Sequence, residues 1–359
     1  FYGYVRYADG TPIGKKQEPL QFDPGVFRDD DDRIYLYTGF ALAGNPLLLN
    51  GSKPTRNGPM CFELDPSDML TVKTGPDYIG VAGEKTAGTG YEGHSFLEAS
   101  SMRKFGDTYY FIYSSMKGHE LCYAVSDRPT GGFRYGGVLV SNGDLGMPGV
   151  FDVRHAKNYT GNTHGSLIEI NGKYYVFYHR QSNRKQSSRQ AMAEEICLRD
   201  GRFYQARLTS CGLNGEPLRG KGTYPAYIAC NLYGRRGTRF LSMIKHTKKG
   251  YPYFTQAGGD RECGPDQYIA NMCDRAVAGF KYFDLTDTSK IRIHVKGSAA
   301  GTVFISTQEN GAVAAVVKIQ PVKRIHGFTS NLSASGSRQA LFFRFEGRGS
   351  FDFYSFDLK

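Results

Sequence analysis

The chain has 359 residues, enough for two or three domains at about 100–200 residues each. Its formal net charge is +11, with 40% apolar and 22% charged residues, the balance of a globular protein rather than a disordered or fibrous one. No apolar run approaches the ~18 residues of a membrane helix, so a helical span is excluded and no membrane partner is expected. The basic residues are spread along the chain. Their densest run, at 235–249, has neither helix-turn-helix nor zinc-finger spacing, so no nucleic-acid partner is expected.

Gly 45, Tyr 25 and Phe 24 are high counts, and Trp is absent. Many glycines among β-prone aromatics imply strands joined by tight turns. The seven cysteines (Cys61, Cys122, Cys197, Cys211, Cys230, Cys263 and Cys273) include no Cys-x-x-Cys pair, and their scattered spacing reads as free thiols. Nothing near Phe1 resembles a signal peptide, and the first residue is not Met, which leaves the compartment open.

In chain order, a strand–turn–aromatic-strand unit recurs. Asp23-Pro-Gly-Val-Phe-Arg passes through Asp29-Asp30-Asp31-Asp32-Arg33 into Ile34-Tyr35-Leu36-Tyr37. Glu98-Ala-Ser-Ser-Met-Arg-Lys passes through Phe105-Gly106-Asp107 into Tyr109-Tyr110-Phe111-Ile112-Tyr113. His164-Gly-Ser-Leu-Ile-Glu-Ile passes through Asn171-Gly172 into Tyr174-Tyr175-Val176-Phe177-Tyr178. Asn-Gly between apolar runs is a strong hairpin signal. Further strands are expected between the units, at 60–64 and 121–125. About four strands per unit is the period of a propeller blade, whose first strand lines the central axis. The repeat thus aims Asp23, Glu98 and His164 at one axial funnel.

Tyr2-Gly3-Tyr4-Val5 is similar to Tyr135-Gly136-Gly137-Val138 at the end of the second unit. Residues 1–6 therefore read as the last strand of a blade whose earlier strands precede this chain. The Gly- and Pro-rich segment 213–223 reads as a linker. From 224 on, short strands separated by turns (280–283, 291–295, 301–306, 312–319, 340–345 and 351–358) predict a β-sandwich of the jelly-roll kind. The fold class is all-β: an incomplete five-bladed propeller over 1–212, with about three blades present, a linker at 213–223 and a sandwich over 224–359.

Phe22-Asp-Pro-Gly-Val-Phe, Phe96-Leu-Glu-Ala-Ser-Ser-Met-Arg-Lys, and Asn162-Thr-His-Gly-Ser running to Phe177-Tyr-His-Arg180 resemble glycoside hydrolase family 43. Residues 224–359, with Gly264-Pro-Asp-Gln-Tyr-Ile-Ala-Asn and Gly279-Phe-Lys-Tyr-Phe, resemble a carbohydrate-binding module of family 6. The resemblance implies a five-bladed propeller that hydrolyses glycosides with inversion. One carboxylic acid protonates the leaving oxygen while a carboxylate across the sugar activates water. It implies Glu98 as the general acid and Asp23 as the carboxylate that keeps the acid protonated. The general base falls on a blade not seen here, so the isolated chain is expected to have negligible activity; Asp152 is a stray candidate for a substitute. The resemblance also places Arg180 near the substrate, and it sets His164 facing a structural calcium on the axis, held through water. No cofactor is required.

On their own, Asp23 before Pro-Gly also fits a turn cap, Glu98 a satisfied strand-end group, and Arg180 an ion-pair partner. Calcium prefers oxygen ligands, so a direct bond from His164 is not expected, and a structural His is the competing reading. Asp29–Asp32 lack EF-hand spacing and read as a solvated turn. In the sandwich, Tyr268, Tyr251 or Tyr253 is expected to stack a sugar, with Phe328 near a binding strand; core or edge packing is the alternative. The expected partner is an arabinose- or xylose-containing oligo- or polysaccharide. A non-catalytic carbohydrate-binding protein is the competing function.

Overall fold

The computed structural model describes residues 3–42, 49, 51–84, 86–161, 163–238, 250–258 and 266–359. Cys263, Asn162 and residues 239–249 of the basic run lie outside these. Among the elements whose residues are fully described, all but two short 3₁₀ turns at Gly212–Asn214 and Ala226–Ile228 are strands. The chain divides into two compact units. The first comprises residues 1–141, 163–178 and 196–206, and the second comprises 142–162, 179–195 and 207–359.

The first unit is built of antiparallel meanders. Strands β1 (Gly25–Arg28), β2 (Ile34–Thr38), β3 (Met60–Leu64) and β4 (Val72–Tyr78) form one four-stranded sheet in sequence order. Strands β5 (Phe96–Phe105), β6 (Thr108–Ser115), β7 (Glu120–Ser126) and β8 (Arg134–Ser141) form a second. Strand β9 (Ser166–Ile170) pairs with β10 (Lys173–Ser182), whose last residues pass, with its next neighbour β11 (Lys185–Ile196), into the second unit, and the small β12 (Leu198–Arg199) and β13 (Arg202–Phe203) pair follows in the first. These are the blades the repeat predicted.

The turns follow from residue chemistry. Asn171 and Gly172 both take positive φ, 53° and 77°, as a two-residue hairpin turn requires. In the acidic turn Asp32 takes φ 67°. Residues 5–13 fold back on themselves, and Arg6 bridges Thr71 beside β4.

Strand β2 is buried along its whole length because its two faces pack against different partners. Tyr35 and Tyr37 join Phe96, Met102, Phe111 and Tyr113 of the second blade in an aromatic layer. Ile34 and Leu36 pack with Met60, Phe62, Leu64 and Val72 on the other side, where Val5, Tyr7 and Ile13 also lie. Alternate residues thus serve two interfaces, which explains a continuous apolar run instead of an in–out pattern. Phe203 sets edge-on contacts to Phe105, Tyr110, Tyr123 and Tyr174, so β13 fills the space between the second and third sheets.

The second unit holds a sandwich of two sheets. One contains β14 (Leu218–Arg219), β16 (Asn231–Tyr233), β19 (Val277–Asp284), β21 (Ala300–Ser306), β22 (Val313–Ile319) and β24 (Gln339–Arg348). The other contains β15 (Gly222–Pro225), β17 (Tyr253–Gln256), β18 (Gln267–Cys273), β20 (Lys290–Gly297), β23 (Val322–Asn331) and β25 (Ser350–Leu358). The segment expected as a linker differs in part from that reading. Leu218–Arg219 pairs with β19 and Gly222 pairs with Leu358, so its second half belongs to the sandwich sheets.

The sandwich core is a phenylalanine cluster. Phe280 is fully buried, with ring centroids 5.2 Å from Phe343 and 4.8 Å from Phe356. Phe280→Ala is expected to destabilise this unit by about 3–5 kcal/mol, because the cavity it leaves adds to the lost transfer energy. The chain has no Trp, so denaturant unfolding is best followed by circular dichroism.

Candidate active site

Strands β1, β5 and β9 each end their sheet, as the innermost strand of a blade does. They also lie side by side. Lys104 on β5 reaches Asp29 Oδ1 at 3.2 Å and Asp30 Oδ2 at 2.8 Å, just past β1. On its other side β5 meets β9, where Arg103 Nε donates to the Leu167 carbonyl at 2.8 Å and Ser101 Oγ lies 2.8 Å from Ser166 Oγ. Gly25 abuts Ser100 while Asp29 meets Lys104, and Ser166 meets Ser101 while Leu167 meets Arg103, so the three strands run parallel and their starts share one end.

Asp23, two residues before β1, and His164, two residues before β9, meet there, with His164 Nδ1 3.8 Å from Asp23 Oδ2. Glu98 sits at the same end of β5. All three are half-buried and reach solvent. The structure thus brings together the three residues that the repeat aligned.

The backbone at this end departs from regular strand geometry. The β5–β6 register shifts on both sides of Glu98, and Ala99 takes φ 69°. Such a bulge re-aims a side chain without ending the strand. Asp23 itself takes φ 46°. Positive φ at non-glycine residues costs energy and gathers where side-chain direction matters. Ser114, the ladder partner of Glu98, donates through Oγ to the Thr163 carbonyl, next to His164.

A buried charge network braces the segment leading into β5. Glu120 is 5% exposed and accepts from His94 Nδ1 at 2.9 Å, Ser115 Oγ at 2.9 Å and Lys117 Nζ at 3.3 Å. The His94 ring stacks on Tyr135 at 5.0 Å. Burial pushes the Glu120 carboxyl up, but the His94 hydrogen bond and the charges of His94, Lys117 and His119 outweigh it and bring it down to about 2. Nothing in the repeat pattern pointed to this residue; its only signal is a carboxylate at the start of an otherwise apolar strand.

His94, Glu120 and Cys122 hold ligand atoms within 4.8 Å of one another. Burial drives the Cys122 thiol well up, and the Lys117 ammonium already neutralises Glu120, so the trio is an ion-pair network rather than a cation site. The His164 surroundings do not fit direct calcium coordination either. His164 offers a nitrogen facing the Asp23 carboxylate, whereas calcium takes six to eight oxygens.

Arg180 and Tyr268 fall in the second unit. Arg180 is 2% exposed; its guanidinium donates to the carbonyls of Tyr227 and Ala229 and to Gln190 Oε1, and it lies 3.5 Å over the Phe254 ring. Arg180 ties β10 to the turn at 226–228, because buried carbonyls need donors. Tyr268 stacks on Tyr354 at 4.8 Å, and burial pushes its hydroxyl up to about 12. Tyr251, Tyr253 and Phe328 pack against the sandwich core. Asp152, in the second unit, is clasped by Arg154 at 2.6 Å and His155 at 2.9 Å. The Arg154 hydrogen bond leads the causes that hold its carboxyl well below the usual range, which makes it a poor proton acceptor.

Glu120 generates a prediction with a definite sign. Its folded pKa lies below its ordinary value, so its contribution is fully present above about pH 4.5 and is lost as pH falls toward 2. Glu120→Gln is expected to cost about 3 kcal/mol at pH 7 and much less near pH 3. Melting curves of both proteins at the two pH values check this; an equal loss at both contradicts the ion-pair account.

No protein-family model matches the chain. It is 44% identical over 363 residues to a xylosidase/arabinosidase of Thermoclostridium stercorarium, covering 100% of this chain and 74% of that protein. It is 33% identical over 187 residues to a β-xylosidase of Xylanibacter ruminicola, covering 47% of this chain and 53% of that one. Among solved structures, a glycoside hydrolase family 43 arabinoxylan arabinofuranohydrolase from Bacillus subtilis, in complex with cellotetraose, covers 98% of this chain and 71% of its own at 19% identity and a TM-score of 0.47. With a relative this similar along its whole length, the chain belongs to the xylosidase/arabinosidase family that its motifs resemble, glycoside hydrolase family 43.

Proposed function

We propose that the enzyme releases xylosyl or arabinofuranosyl units from arabinoxylan-type polysaccharide with inversion, with Glu98 as the proton donor and Asp23 as the carboxylate that keeps Glu98 protonated. The observation that carries this reading is the adjacency of β1 and β5, with both acids at the same end and each on irregular backbone. The names of the relatives supply the substrate class: pentosides of both kinds.

The roles follow from the chemistry. A pentoside oxygen is a poor leaving group unless it receives a proton as the bond breaks, and a carboxylic acid aimed by a bulge can deliver it. A second carboxylate nearby disfavours ionisation of the first, so the acid stays loaded at higher pH. His164 Nδ1 lies 3.8 Å from that second carboxylate. No step is assigned to calcium.

Leaving-group dependence tests the acid. Glu98→Gln is expected to slow unactivated pentosides by about 10²–10⁴-fold and to spare aryl pentosides with good leaving groups in part. An equal loss on both kinds removes Glu98 from the role. Asp23→Asn is expected to move the alkaline limb of the kcat/KM profile to lower pH, since the lost negative charge no longer opposes ionisation of the acid. A limb that stays in place removes Asp23 from its role.

A further inference from the structure

Residues 144–157 of the second unit, together with β16, β19, β24 and the turn after β21, line a cavity of about 300 Å³. That is the lower end of small-molecule site volumes. Part of its wall lies outside the sandwich strands, so the sandwich alone does not form it.

The cavity is built of charge. Lys281 Nζ lies 3.1 Å from Asp144 Oδ2, both side chains less than 10% exposed. Lys157 Nζ lies 2.6 Å from Glu309 Oε1, which also accepts from the Tyr233 hydroxyl at 2.6 Å. Each carboxylate is therefore neutralised by its own lysine. Two groups are left over. Arg207 has no ion-pair or hydrogen-bond partner among the described residues. Asn231 is 2% exposed, and its Nδ2 has no hydrogen-bond partner. Both are donors. With three cations against two carboxylates, the lining carries one net positive charge. Phe342 and Tyr282 add aromatic surface.

We infer that this cavity binds an acidic sugar: a single pyranose-sized ring bearing one carboxylate. The carboxylate takes the unpartnered donors of Arg207 and Asn231. The ring hydroxyls donate to the neutralised Asp144 and Glu309, and the apolar ring face lies on Phe342. An inorganic anion would bring no hydroxyls to the two paired acids and no apolar face to Phe342. A neutral sugar would leave Arg207 without a counter-charge, and guanidinium pairs best with planar carboxylates. The inference is independent of the catalytic assignment, because its readout is binding.

The test is calorimetric titration of the full chain with glucuronate, glucose, xylose and acetate. Glucuronate is expected to bind, more weakly as salt rises, and the other three are expected not to saturate at up to about 10 mM. Arg207→Gln is expected to weaken glucuronate binding by about tenfold or more. Asn231→Ala is expected to weaken it several-fold; if that buried change unfolds the unit, the half-exposed Arg207 variant carries the test. Glucose binding as tightly as glucuronate, acetate binding as tightly as glucuronate, no saturation by glucuronate, or an unchanged affinity in a folded Arg207→Gln protein each overturns the inference.

Discussion

One backbone contact sets the geometry of the end where Asp23, Glu98 and His164 gather. At Gly25 any side chain would place its Cβ 2.3 Å from the Ser100 carbonyl oxygen, so only glycine lets β1 approach β5 this closely. The contact falls on the bulge that follows Glu98 and one residue beyond the Asp23-Pro24 turn. Gly165 is as tightly held, with Phe177 O only 2.0 Å from where its Cβ would lie. Gly25 thus lets β1 crowd against β5, while Gly165 lets the start of β9 close onto its hairpin partner β10. Asp23 and His164 face each other at the starts of these strands.

The same crowding leaves little room for water between the blades, and the polar groups caught there must find partners. Asp29 shows how. It is 6% exposed and receives Tyr109 Oη at 2.6 Å, Lys104 Nζ at 3.2 Å and the Asp30 N–H at 2.9 Å. Burial pushes its carboxyl up, and those hydrogen bonds bring it down below its ordinary value. Such a tie adds little net stability over a well-packed apolar contact, yet removing one partner leaves a buried charge at a cost of about 3–5 kcal/mol. Its value lies in fixing register: Lys104 reaches Asp29 only when β1 and β5 are level.

The three aligned hairpins were legible because each turn announces itself chemically and each following strand is aromatic. The fully buried β2 was legible for the same reason. The bulge at Glu98 was not, since Ala99 carries no turn signature and its positive φ is imposed by the neighbouring strand. Asp29 read as one of four solvated turn acids; only Asp30, Asp31 and Asp32 stay on the surface. In the sandwich, the strands with strong apolar alternation stood out. β23 did not, because Lys323, Arg324 and His326 line an exposed edge where charge discourages pairing with other chains. β14 and β15 were hidden in a Gly- and Pro-rich stretch, where short pairings depend on a partner strand far along the chain.

Charge partners separate the acids of this chain into two kinds. Asp29, Glu120 and Asp152 each accept from a fixed cation within about 3.3 Å, and each is held below its ordinary pKa. Carboxylates of that kind stay ionised through the pH range in which a glycosidase works, so they brace structure and cannot lend a proton. A proton donor needs the reverse surroundings, with negative charge nearby and partial shielding from water. Asp23 and Glu98 are half-buried at the starts of their strands, and His164 Nδ1 lies 3.8 Å from Asp23 Oδ2. The division follows from strand order. Donors such as Lys104 and Arg103 lie toward the far ends of the innermost strands, while the starts of the same strands carry Asp23 and Glu98. A single repeat, read in parallel across adjacent blades, therefore sets the Asp29–Lys104 brace at one end of β1 and β5 and Asp23, Glu98 and His164 at the other.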